Sequence, residues 1–190
     1  MNITDLAKIR LISQQIVGSK FSNPKNVLDR MGAIQAQDYG MAKWAIGIRL
    51  PGSNDDKISA AIDKGEILRT HLLRPTWHFV SNDDIYWILE LTARRIKRSF
   101  KSRHIQLGLT KTILRKSNSV IEKALKGGNH LTREELIVEL GKAKIGTNDN
   151  RASHIFCLGG IGRINLQRRN KKGKTNLCAP RRKGAEEKAF

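Results

Sequence analysis

A mostly helical α+β fold is what this sequence predicts, and three observations lead there. Apolar residues recur at helical spacing through the first 65 residues. Two short alternating runs follow at 66–81, and capped helical segments resume beyond them. The chain of 190 residues suits one ordinary domain or two small ones, and its 39% apolar content supports a packed core.

"NITDLAKIRLISQQIVG" carries Ile3, Leu6, Ile9, Ile12 and Ile16 as a stripe, with Thr4 as candidate N-cap and Gly18 as stop. In "SNPKNVLDRMGAIQAQ", Asn23 is the cap and Pro24 the first helical residue, so the second helix should run towards Gln35. "DYGMAKWAIGIRL" reads as a third helix, weakened by Gly40 and Gly47, with Trp44 at core spacing. "DDKISAAIDKG" makes a fourth that ends near Gly65. "EILRTHLLRPTWHFVS" is rich in β-branched and aromatic residues with Arg74-Pro75 near its middle, predicting two short strands around a turn. Trp77 and Phe79 are expected to divide between core and surface. Several helices followed by a hairpin is the order of a winged helix, in which a helix enters a DNA groove and the wing touches the backbone.

Ser81 then caps "NDDIYWILELTARRIKRSFKSR", a long helix whose acidic start and basic end match the helix dipole. "LTKTILRKSNSVIEKAL" follows, and "LTREELIVELGKAK" places Thr132 and Glu135 at capping-box spacing. "TNDNRASHIFCL" begins another helix, capped by Asn148 or Asp149. These three predict a second winged-helix module. The expected organisation is a first module over 1–92, a basic helix and linker over 93–109, a partial second module over 110–158, and a basic tail over 159–190.

Charge narrows the partners. Against 17 acidic residues stand 36 Lys and Arg, a formal net charge of +19, and a polyanion is the natural counter-charge. Double-stranded DNA leads, with an anionic membrane surface second. Residues 94–126 hold eleven Lys or Arg against the single acid Glu122. Arg94, Arg95, Lys97, Arg98, Lys101 and Arg103 are candidates for phosphate contact, as are Arg69, Arg74 and Thr76 on or beside the wing. "ARRIKRSFKSR" offers only a weak amphipathic membrane helix. With no 18-residue apolar run and no signal-peptide pattern, a cytoplasmic, nucleoid-associated monomer is expected.

No metal or cofactor is expected. Cys157 and Cys178 form no C-x-x-C pair, and His71, His78, His104, His130 and His154 lack metal-ligand spacing. "GGIGRIN" lacks both the third glycine of a dinucleotide loop and a Walker lysine.

From Gly159 onward the chain holds ten basic residues, its only acids are Glu186 and Glu187, and apolar alternation is missing. One reading is a disordered basic arm. Another is a frameshift after about Leu158, since codons exist that would spell an apolar strand, a Lys-Gly turn and a second strand in a neighbouring frame.

The blocks "MGAIQAQDYGMAKWAIGIRLPG" and "ILRTHLLRPTWHFVSNDDI" resemble the AlkZ/YcaQ-like family of winged-helix DNA glycosylases, and "TREELIVELG" and "NRASHIF" fit its second module. The resemblance covers roughly residues 1–158. It implies three tandem winged helices in a longer C-shaped protein with a hairpin that engages the minor groove, so this chain would be a C-terminally truncated or frameshifted form. The family's catalytic motif of Gln, an apolar residue, then Gln or Asp maps onto Gln35-Ala36-Gln37. The resemblance thereby implies hydrolysis of the N-glycosidic bond of N7-alkylated purines, with tolerance of bulky adducts or interstrand crosslinks.

Amides suit that chemistry. A purine alkylated at N7 is cationic and departs as a neutral base, so the site need only hold a water and tolerate an oxocarbenium-like sugar. Glutamine can do this although it has no pKa useful for base catalysis. Without the resemblance, Gln35 and Gln37 read as amide caps of a helix terminus, and Asp38 as a cap of the next helix. The alternative function is a non-catalytic winged-helix DNA-binding protein or regulator.

Overall fold

The computed structural model describes residues 2–73, 76–161, 166–171 and 174–178. It is α+β and mostly helical. Nine helices and six strands are present among the described residues, with one turn of 3-10 helix at Lys126–Gly128.

Helix α1 spans Ile3–Ser13 and is closed by a capping box between Asn2 and Asp5, so the cap is Asn2 and not Thr4. None of its residues is buried, so the stripe of Ile3, Leu6, Ile9 and Ile12 lies open. Arg49 ties the segment after it to the body, donating from Nε to the Gln14 carbonyl at 2.8 Å.

Helix α2 spans Pro24–Met31, capped by Asn23 as expected. It stops well before Gln35. Gly32 takes φ 74° and ψ −59°, a conformation that only glycine adopts at low cost, and this turns the chain into strand β1, Ala33–Gln35. Asp38 caps α3, Tyr39–Gly47, and Asn54 caps α4, Asp55–Asp63. Strands β2, Ile67–Leu72, and β3, Thr76–Ser81, form the expected hairpin.

Beyond the hairpin, the long helix is broken. Helix α5 is Ile85–Ser99 and α6 is Lys101–Gln106, with Phe100 between them. The Phe100 ring packs against His104 and His154, with centroids 5.4 and 4.9 Å away, and the two histidine rings meet each other at 5.2 Å. Ser81 does not cap α5 directly; its hydroxyl accepts from the Asp84 N–H. Helices α7, Lys111–Leu125, and α8, Arg133–Lys142, start at Thr110 and Thr132, the latter with its full capping box. Strand β4, His130–Thr132, runs into α8, and α9 is Arg151–Ile161.

Strands β5, Leu166–Lys171, and β6, Lys174–Cys178, pair antiparallel. These two segments of the 159–190 tail are thus paired strands. Main-chain pairing needs a free strand edge rather than apolar alternation, and β2 and β4 supply one on each side. The resulting sheet has the order β1-β3-β2-β5-β6-β4.

Both faces of the β1–β3–β2 part are covered. Phe79 joins Val27, Leu28, Ile46 and Ile58 of α2–α4 on one side. Leu68, Leu72 and Val80 meet Ile85, Ile88 and Leu89 of α5 on the other. A second core of Ile121, Leu125, Leu136, Leu140 and Ile155 lies among α7, α8 and α9. Ile96 of α5 and Cys157 of α9 pack together between the two. Removing this much apolar surface from water is the main force holding each cluster.

Two expectations about aromatics are corrected. Trp44 is 59% exposed, because α3 buries Ala42 and Ile46 and turns Met41 and Trp44 outward. Trp77 and Phe79 share a face, as residues two apart on a strand must. Phe79 is fully buried and Trp77 half-buried, Trp77 lying at the hairpin end of the strand.

Candidate active site and nucleic-acid face

Strand β1 is an edge strand. Its register with β3 sets Ile34 opposite Phe79 and Gln35 opposite His78. The chain continues past the strand with the Ala36 N–H donating to the Trp77 carbonyl at 2.7 Å, which buries the Ala36 methyl completely. Gln35 and Gln37 flank that anchor and are both exposed. Neither caps a helix terminus, since Gly32 closes α2 and Asp38 opens α3. Cap duty falls to Asp38, whose carboxylate accepts from the Met41 N–H at 2.9 Å.

The two amides are held differently. The Trp77 N–H donates to Gln37 Oε1 at 3.2 Å. Because a main-chain N–H can only donate, it fixes the amide with its oxygen towards Trp77 and its NH2 away from that bond. The Gln35 amide projects from the edge strand into solvent.

Beneath the turn lies Arg69, 9% exposed. Its Nε and Nη2 donate to the Ala36 carbonyl at 3.0 and 2.8 Å, and Nη2 also reaches the Gln37 carbonyl at 3.4 Å. The guanidinium lies over Trp77 at 4.6 Å and Tyr39 at 5.5 Å. Burial draws its pKa below the ordinary value, while Tyr39 and Asp38 oppose that shift. The sequence points to Arg69 as a phosphate contact, and the structure instead turns it under the glutamine pair.

His71 stacks on Trp77 with centroids 3.8 Å apart. Burial, helped by the positive charge of Arg69, pushes its pKa down to about 4, so the ring is neutral at physiological pH. His78 is buried, with Nδ1 2.9 Å from the Thr76 carbonyl, and Thr76 itself is half-buried. Arg74 falls outside the described residues. Arg69, His71, Trp77 and Phe79 lie on one face by register, a grouping that the two-residue period of the strands could have revealed.

The basic candidates on α5 and α6 form a separate group. Ile85, Ile88, Leu89 and Ile96 face the core, and Arg94, Arg95, Lys97 and Arg98 are exposed. Lys101 and Arg103 are exposed on α6, where Arg103 donates to Gln106 at 3.0 Å. Among the described residues, no cluster of three or more His, Cys, Asp or Glu side chains could hold a metal ion. Burial pushes the Cys157 thiol up to about 12, which makes it a packing residue rather than a nucleophile. No described helix is long and apolar enough to cross a membrane.

Comparison with known proteins places this arrangement in a class. The sequence model of the AlkZ-like DNA glycosylases matches residues 28–176, and the chain belongs to that family. The match takes in Gln35-Ala36-Gln37, Arg69 and the β5–β6 hairpin up to Asn176. Among solved structures, the DNA glycosylase AlkZ of Streptomyces sahachiroi is similar, with a TM-score of 0.76 at 17% identity. The superposition covers 90% of this chain and 47% of that one, so this chain spans about half the length of its structural relative. A search of curated proteins gave no match.

Proposed function

We propose that this chain binds damaged duplex DNA through tandem winged-helix modules and hydrolyses the N-glycosidic bond of N7-alkylated purines, with interstrand crosslinks as further substrates. The observation that carries the reading is the Gln35-Ala36-Gln37 turn, in which the central residue is pinned to β3 and both flanking amides are exposed.

The chemistry follows from what each amide can offer. The cationic lesion draws the electrons of the breaking C1′–N bond and leaves as a neutral base. A water then bonds to C1′ and sheds its proton to solvent. Gln35 supplies the carbonyl that accepts from this water. Gln37, whose oxygen is held by Trp77, presents its NH2 as a donor. Neither group protonates a leaving base, so undamaged purines are poor substrates. The exposed cations of α5 and α6 bind phosphates and make affinity salt-dependent.

The test is release of N7-methylguanine from duplex DNA by the chain and by a Gln35→Ala/Gln37→Ala variant, with circular dichroism to show that both are folded. Release abolished in the variant supports the reading. Binding without release by the folded chain favours a DNA-binding module. The shorter length relative to AlkZ gives that outcome its place.

A further inference from the structure

The position of Arg69 is unusual for a strongly basic DNA-binding chain. Its planar fork is turned inward onto two consecutive main-chain carbonyls, Ala36 and Gln37, at 2.8–3.4 Å. Those carbonyls belong to the residue between the two exposed glutamines and to the second glutamine itself. Trp77 completes the enclosure. It accepts the Ala36 N–H through its carbonyl, donates to Gln37 Oε1 through its N–H, and lays its ring against the guanidinium at 4.6 Å. One arginine and one tryptophan thus hold the turn through main chain, side chain and ring together.

We infer that Arg69 is a positioning residue for the Gln35–Gln37 pair, setting the direction of both amides through the backbone they share, and that it is not a phosphate contact. The inference rests on the glycosylase reading for its consequence, although the clamp itself is a matter of structure. Ala36 is packed into the core, but the side chains on either side of it are exposed and have little packing to fix them. A water held by two amides reacts only if both point at the same place, and a displacement of about 1 Å can cost on the order of a hundredfold in rate. Lysine cannot replace the clamp, because a point charge on a flexible stem neither spans two carbonyls in one plane nor stacks between aromatic rings.

Arg69→Lys and Arg69→Gln separate the two roles. Three quantities are measured on each: single-turnover release of N7-methylguanine, affinity for undamaged duplex over a salt series, and NMR of the Trp77 N–H and the Gln37 side-chain amide. The clamp predicts that release falls by about a hundredfold while duplex affinity and its salt slope stay as in the parent. It also predicts that the Gln37 amide resonances shift and the Trp77 N–H exchanges faster. A phosphate role predicts the reverse for Arg69→Gln: a salt slope smaller by about 0.9, with Trp77 and Gln37 signals unmoved, and this result overturns the inference. Should Arg69→Gln fail to fold, Arg69→Lys keeps the charge and carries the comparison, and unmoved Trp77 and Gln37 signals in it overturn the inference equally. If the parent chain releases no base, the glycosylase reading fails alone. The NMR signals of Arg69→Lys then still decide for or against the clamp.

Discussion

The N–H of Trp77 donates to Oε1 of Gln37 across 3.2 Å, joining the hairpin to the second glutamine of the motif. This one bond distinguishes two otherwise similar amides. Gln37→Leu removes the acceptor and leaves the Trp77 N–H to solvent, so the expected loss of stability is small, about 1 kcal/mol or less by urea denaturation. Base release, in contrast, should fall to the level of the Gln35→Ala/Gln37→Ala variant.

Arg49 anchors the N-terminal segment. It is 8% exposed and donates to the Gln14 carbonyl at 2.8 Å and to the Ala45 carbonyl at 2.6 Å. The Ser19 hydroxyl in turn donates to the Arg49 carbonyl. Since α1 buries nothing of its own, this arginine holds it in place. Arg49→Met should cost about 1–3 kcal/mol and speed tryptic cleavage at Lys8, Arg10 and Lys20. Unchanged cleavage would show that α1 is held by something else.

Acid should destabilise the protein through its histidines. His71 is pushed from an ordinary 6.5 to about 4 by burial, then by Arg69 and His78. Burial also lowers the pKa of His104 and His154, with a further contribution from His154 on the first and Arg103 on the second. Each group binds fewer protons folded than unfolded, so stability rises with pH. Its full value holds above about 6.5 and drains away towards 4. Thermal melting across that interval should show the decline, and His71→Phe, which keeps a ring against Trp77, should flatten it.

On the proposed reading, the exposed face of α5 sets the salt dependence of DNA binding. Arg94, Arg95 and Arg98 are exposed on it and make no part of the core. Replacing all three by Gln should lower the salt slope by about 0.9 for each phosphate that they neutralise and weaken binding to all duplex sequences alike. A change confined to particular sequences would mean that these side chains read bases.

The frameshift proposed after Leu158 is checked in the gene itself. Codons for 159–190 that cannot encode an apolar strand, a turn and a second strand in a neighbouring frame reject it. In the frame as it stands, β5 and β6 already pair at 166–171 and 174–178, and the family match runs to 176.

Sequence alone determined the elements whose causes are local. Pro24 after Asn23, Asp38 ahead of α3, Thr132 with Glu135, and the alternating runs around Arg74-Pro75 each carry their signal within a few residues. The Gln35-Ala36-Gln37 motif was legible too, through resemblance rather than through any local rule. Tertiary structure decided what depends on distant partners. Gly32 ends α2 because β3 offers 33–35 an edge to pair with, and a helical stripe from α2 could not foresee that edge. The break falls at Phe100, whose ring packs against His104 and His154, two residues 50 apart in the chain that also touch each other. Arg69, taken from the sequence, reads as one surface cation among many. Only the pairing of β1, β2 and β3 brings it under carbonyls some 33 residues earlier, where three hydrogen bonds and two ring faces stand in for the water it gave up.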